Sequence, residues 1–185
     1  MNSPAVPTSS AISWADNAKV LADVSDIARD QLAPAAYRID HEGYYPIDIM
    51  AQLGGAGAFA GHLDQYGSRY GLAVGSMHEI SRHCGSTGFM TWCHDVCGLY
   101  MEQSGNPALL ARLPDHAAGR TFGGTALSNP MKAFTGIEKM ALKAKKVPGG
   151  YSVTGTLPWV SHIAPGQYCG VIAAVDRDDG SRSHE

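Results

Sequence analysis

The sequence changes character near residues 114–120, and no other feature constrains the fold as much. Before this point apolar residues recur at helical spacing; after it, short β-rich runs are punctuated by Gly and Pro. From Ile12 to about Leu32, Val20, Val24 and Ile27, with Leu21, Ala28 and Leu32 beside them, form an amphipathic stripe expected to stop at or just after Pro34. Helices are also predicted for Pro46 to Leu53 with a glycine stop, Leu72 to His83, Ser86 to Gln103, and Ala108 to Leu113. The last of these has Asn106 as its cap and should end before Pro114. In the Ser86 to Gln103 helix, Phe89, Met90, Cys93, Val96, Cys97 and Tyr100 make a nearly continuous apolar face, which predicts burial. Strands are expected within Thr121 to Leu127, Glu138 to Val147, Tyr151 to Gly155 and Cys169 to Val175.

Helices first and strands second specify an α+β chain: an all-α bundle over residues 1–117, then an incomplete small β-barrel domain over 118–185. The final strand and the turn from Asp176 to Ser181 call for a return strand that the sequence does not supply, so the chain reads as the front part of a longer protein.

Composition sets the outer limits. With 185 residues the chain can bury roughly 70% of its unfolded surface, enough for an enzyme core. Fourteen basic against seventeen acidic residues, with no basic stripe, predict no nucleic-acid partner. The longest apolar runs, such as Val171 to Val175, fall far short of the roughly 20 residues that cross a bilayer, so no membrane partner is expected. The leader MNSPAVPTSSAIS has neither a basic nor an apolar signal region, which predicts a cytoplasmic protein with its four cysteines reduced.

Metal and phosphate motifs are weak. Cys93-His94-Asp95-Val96-Cys97 places both thiols on an apolar helix face with no second pair at zinc spacing, so it predicts burial and no metal. The eight histidines look scattered, without a His-Glu-x-x-His pattern. Gly54-Gly55-Ala56-Gly57 follows a helix and lacks a closing Gly-Lys-Ser/Thr, and reads as a flexible connection. Lys143 to Lys146 reads as the solvated side of a strand.

Two later segments carry more. Thr125-Ala126-Leu127-Ser128-Asn129-Pro130 ends one predicted strand, and GGYSVTGTLPWVSH ends another with Trp159 and Ser161 two residues apart, hence on one face. An indole plate with nearby hydroxyl and backbone donors suits a flat, electron-poor heterocycle.

TALSNP and GGYSVTGTLPWVS resemble the flavin-contacting segments of the acyl-CoA dehydrogenase family, usually a small-residue strand ending in Thr-Glu-Pro and a Gly-x-Lys-x-Trp-Ile-Thr. The helix-then-barrel order agrees, as does NPALLARLPDHAAG before the first barrel strand. The resemblance implies FAD as cofactor, with Thr125, Leu127 and Ser128 along the flavin's pyrimidine side and Trp159 and Ser161 over the ring near N5. It also implies α,β-desaturation of an acyl-CoA thioester by hydride transfer to flavin, a role in fatty acid metabolism, and a homo-oligomer in the complete protein. Asn129 stands where the family usually has Glu, Leu157 where it has Lys, and residues 131–138 lack the usual Gly-Ser-Asp turn. A CoA thioester substrate is therefore a weaker implication than flavin, and a flavin monooxygenase or oxidase of the same fold, or a non-catalytic module needing a partner chain, stays open. The family's catalytic base lies in a C-terminal helical domain, so the resemblance implies no catalytic residue and little activity for these 185 residues alone.

Overall fold

The computed structural model describes residues 14–176 and 182–184, so the leader and most of the turn after Asp176 lie outside the described residues. Helices α1 (Asn17–Ile27), α2 (Ala33–Glu42), α3 (Ile47–Gly55), α4 (Tyr70–His83), α5 (Gly85–Gln103), α6 (Pro107–Leu110) and α7 (Leu113–Ala117) precede strand β1 (Gly123–Thr125). Then come α8 (Ser128–Phe134), β2 (Lys143–Val147), β3 (Gly150–Thr154), β4 (Tyr168–Gly170), β5 (Ala174–Asp176) and β6 (Arg182–His184). The α+β class is as the sequence specifies.

Helix α1 starts where Asp16 Oδ1 accepts the amides of Ala18 at 2.9 Å and Lys19 at 3.2 Å. Its apolar stripe, Val20 and Val24, continues through Ala28 and Leu32 into the core with Met50 and Leu53 of α3, Phe59, Leu63 and Ile80. Pro34 does not stop this helix. The backbone widens into a π turn at Ala28–Leu32, with the Ala33 amide reaching back to the Ala28 carbonyl, and helix resumes through the proline to Glu42. The wider turn relieves the clash between a proline ring and the carbonyl one turn before it. The Asn106-capped helix does end before Pro114, though already at Leu110, and Pro114 lies in the first turn of a new helix, α7, where a residue needs no N–H donor.

The run Gly54 to Gly61, expected to be a flexible loop, is helical at its start and buried from Gly57 onward, with His62 and Leu63 buried after it. Gly54 lies against the backbone of Ala118 and Gly119, where a Cβ would stand 2.6 Å from Gly119 Cα, so α3 packs directly on the exit from α7.

The strands form two separate sheets and close no barrel among the described residues. β1 pairs parallel with β4, Gly124 opposite Cys169. The other sheet has the order β3-β2-β5-β6, with β2 and β3 joined through Pro148-Gly149, Gly149 adopting φ +83°. The expected strand from Cys169 to Val175 is split between the two sheets, and the return strand absent from the sequence reading is present as β6, antiparallel to β5. Leu142, Ala144, Ala173 and Val175 make a small second core under this sheet, while Lys143, Lys145 and Lys146 are solvated. Among the described residues no helix is long and apolar enough to cross a membrane.

Candidate functional site

The short β1 strand is the base on which the site is built. At its end Thr125 and Ser161 form an isolated antiparallel bridge, each amide donating to the other's carbonyl at 3.2 Å. This bridge brings the two segments singled out in the sequence to the same place. Thr125, Leu127, Ser128, Trp159 and Ser161 all line one cleft of about 450 Å³, together with Ala126, Phe89, Trp92 and Met131. Among the described residues no charged side chain lines it, and its size suits a small-molecule site.

The five side chains differ in what they offer. Trp159 is 70% exposed, so its indole is open to a ligand and does not fill an interior. Its strand setting is not as expected: residues 155–160 are irregular, and only Ser161 makes a bridge. Ser161 is half-buried with its hydroxyl against the Cys93 thiol, and burial pushes that thiol up to about 11, so it stays protonated near neutrality. Thr125 is buried and its hydroxyl shares a 3.3 Å hydrogen bond with Tyr100 of α5. Leu127 precedes α8, and Ser128 is that helix's exposed first residue, not a strand end. With no side-chain cap on α8, its leading amides have no partner inside the helix.

Sequence reading missed the opposite wall. Phe89 was placed on the buried face of α5 but is 53% exposed and stacks on Trp92 at 5.6 Å and 21°. Their i, i+3 spacing was the available signal; it went unused because α5 is buried along Cys93, Cys97 and Met101 just beyond them.

Asn129, where the resemblance leads one to expect Glu, is a structural fastener. Its Nδ2 donates to the Lys139 carbonyl at 2.9 Å and to Glu138 Oε2 at 3.1 Å, and its Oδ1 accepts the Ala141 amide at 2.9 Å. These bonds pin the chain leading into β2 beneath α8. The substitution Asn129→Asp keeps the shape but removes both donors and sets a second carboxylate beside Glu138. It is expected to cost about 2 kcal/mol, read as a lowered urea midpoint at unchanged slope; an unchanged midpoint would show that the fastening contributes nothing.

Beneath the cleft the histidines are not scattered. His62, His94, His116 and His162 are all buried around α5. His94 and His116 stack at 3.6 Å and bond each other's backbone reciprocally, ring Nε2 to carbonyl at 3.0 Å in both directions. The Gly123 amide donates to His94 Nδ1 at 3.3 Å, and Tyr168 OH lies 2.7 Å from His116 Nδ1. Both rings are thus neutral with the proton on Nε2. This pair ties α5 to α7 and, through Gly123 and Tyr168, to both strands of the first sheet. Burial drives His94 far below its ordinary value and His116 down to about 3. On the far side His62 Nδ1 stands 3.7 Å from Asp95 Oδ1, too far to bond, and burial lowers His62 to about 4 while raising Asp95 well above the carboxylate range. Among the described residues no group of three or more His, Cys, Asp or Glu is arranged to hold a metal.

Known proteins resemble this chain in sequence and in fold. Residues 15–120 match the family described as acyl-CoA dehydrogenase, N-terminal domain. A mitochondrial isovaleryl-CoA dehydrogenase of Oryza sativa subsp. japonica is 31% identical over 170 residues, covering 86% of this chain and 41% of the relative. The chain therefore spans about two fifths of the length of the curated relatives it matches. Among solved structures, butyryl-CoA dehydrogenase from Megasphaera elsdenii superposes with a TM-score of 0.68 at 18% identity, over 100% of this chain and 49% of that one. A glutaryl-CoA dehydrogenase from Mycobacterium smegmatis in complex with FADH2 gives 0.66 at 20%, over 87% and 43%. At these identities the two structures establish a shared fold.

Proposed function

The chain belongs to the acyl-CoA dehydrogenase family, and from that premise we propose that its cleft holds the isoalloxazine ring of FAD in an oxidoreductase acting on acyl thioesters. The observation that carries this reading is the convergence of Thr125, Leu127, Ser128, Trp159 and Ser161 on one uncharged, aromatic-walled cleft.

The residues present fit such a group. The exposed Trp159 indole offers a plate for a flat ring, worth about 0.5–1.5 kcal/mol beyond the area it covers. The uncapped amides leading α8 and the Ser128 hydroxyl offer donors to ring carbonyl oxygens, and Ser161 offers one at the other edge. A bound flavin supplies a two-electron acceptor for hydride. The chain's own part is to orient that ring and keep water from it, with Phe89, Trp92 and Met131 closing the other side. With no cation on the lining, the diphosphate of a dinucleotide is left to lie outside this cleft. No carboxylate lines it either, so none of these residues takes the substrate's α-proton, and α,β-desaturation belongs to the complete protein.

FAD titration followed by quenching of flavin fluorescence tests the reading. Trp159→Ala is expected to weaken binding threefold to tenfold, with Ser161→Ala acting in the same direction. The reading fails if both variants bind FAD as the unaltered chain does, or if that chain binds none. A panel of acyl-CoAs with a dye acceptor should give little turnover with these 185 residues alone.

A further inference from the structure

Next to the flavin cleft runs a second groove of about 360 Å³, walled by Tyr44, Tyr45, Phe89 and Met90, and sharing Phe89 and Ser161 with the first. His162 forms part of its floor. Three observations bear on this histidine, the first of them shared with His62, which does not line this groove. It is 94% removed from solvent, its relative exposure being 6%, yet neither ring nitrogen has a well-aligned hydrogen-bond partner, the Gly123 backbone making at most a poorly aligned contact. Phe122 at 5.6 Å and His94 at 5.8 Å close it on the core side, while Tyr45 at 6.0 Å stands on the groove side. Its backbone is left-handed at φ +59°, a conformation that costs about 1 kcal/mol or more in a residue with a side chain.

A buried ring with two unmet hydrogen-bonding atoms is a standing cost unless something meets them. The other histidine nearest it, His94, is fully engaged, and the Tyr45 hydroxyl is taken up by the Gln167 amide at 2.9–3.1 Å. We infer that His162 is the recognition residue of a second small-molecule site, in which an uncharged ligand with a flat apolar body occupies the aromatic groove and places a carbonyl or hydroxyl oxygen on the imidazole.

The chemistry selects that class. Burial holds His162 down to about 4, so near neutrality the ring presents one donor and one acceptor and no charge. No charged side chain lines the groove, which leaves a carboxylate, phosphate or ammonium group uncompensated there. Both ring nitrogens are closed to solvent, so engagement needs a neighbouring ring to move; Tyr45, which lines the groove 6.0 Å from the imidazole, is held by its bonding to Gln167. The site stands whether or not the neighbouring cleft holds a flavin.

The test uses two probes of nearly one shape, indan-1-one and indane, titrated into the 185-residue chain while the histidine ring nitrogens are followed by NMR. Indan-1-one is expected to shift the His162 resonances and to bind threefold to tenfold more tightly than indane. His162→Gly, which accepts the left-handed backbone, should abolish that preference; His162→Asn, which tolerates it and keeps a donor and an acceptor, should retain part. Tyr45→Phe, freed from Gln167, should bind indan-1-one more tightly. Equal affinity for the two probes, no binding of either, or a preference that survives His162→Gly overturns the site. FAD titration of the same samples reports the neighbouring cleft separately, so one reading can fail while the other stands.

Discussion

Lowering the pH from 7.5 to 4.5 is expected to unfold this protein, with most of the stability lost below pH 6.5. Unfolded, each histidine takes up a proton near its ordinary value of 6.5; folded, His62 and His162 do so only near 4 and His116 near 3, with desolvation as the first cause in each case. In that window the unfolded chain binds more protons than the folded one, so acid favours unfolding. The stability these rings contribute is fully present above pH 6.5 and is lost as pH falls toward their folded values, about 3 kcal/mol each for His62 and His162. His94 acts in the same direction. Asp95 opposes them: its neutral form is the folded one, so its contribution is present at low pH and declines as pH rises. One carboxyl against four imidazoles leaves the balance with the histidines, and a loss of several kcal/mol is comparable to the whole stability of an ordinary domain. Urea denaturation at stepped pH measures this; a midpoint that stays level from pH 7 to 5 would refute it.

Gly124→Ala should be the most damaging single substitution at the cleft. A Cβ there runs directly into the carbonyl oxygens of Ser161 and His162, which are backbone atoms and cannot swing aside. The bridge between Thr125 and Ser161 must open to admit the methyl group, at a cost of about 3 kcal/mol. Because that bridge holds both halves of the cleft together, FAD affinity should fall with stability, and more steeply than in Trp159→Ala. A variant that melts with the parent and retains flavin would show that the bridge does not set the site.

Much of this arrangement could be read from residue patterns, for identifiable reasons. Helical periodicity is a local property, so α1, α4 and α5 were legible, as was the start at Asn106, where a side chain caps its own helix; the Asp16 cap, which starts α1 later than the expected Ile12, was not read. That the two segments meet was legible because each carries its own signature, although the strand alternation expected to set Trp159 beside Ser161 is not what places them. What escaped depends on contacts distant in sequence. Nothing near Asn129 announces that it will fasten residues 138–141, and nothing in the spacing of His62, His94, His116 and His162 says that two helices and two loops will bring them together. Pro34 misled because proline removes a donor but does not exclude a helix: the backbone adjusts through a π turn whose Ala28 and Leu32 are buried in the core.

The parallel pairing of β1 with β4 has a consequence in time. Gly123 to Thr125 meet their partner only at Tyr168 to Gly170, and the whole β2–β3 hairpin lies between them. That hairpin closes over two residues and needs nothing from afar, whereas β1 must wait for a long excursion of chain to return. During synthesis the helical layer is therefore complete, and the hairpin already zipped, before Ser161 and then β4 emerge to close against β1.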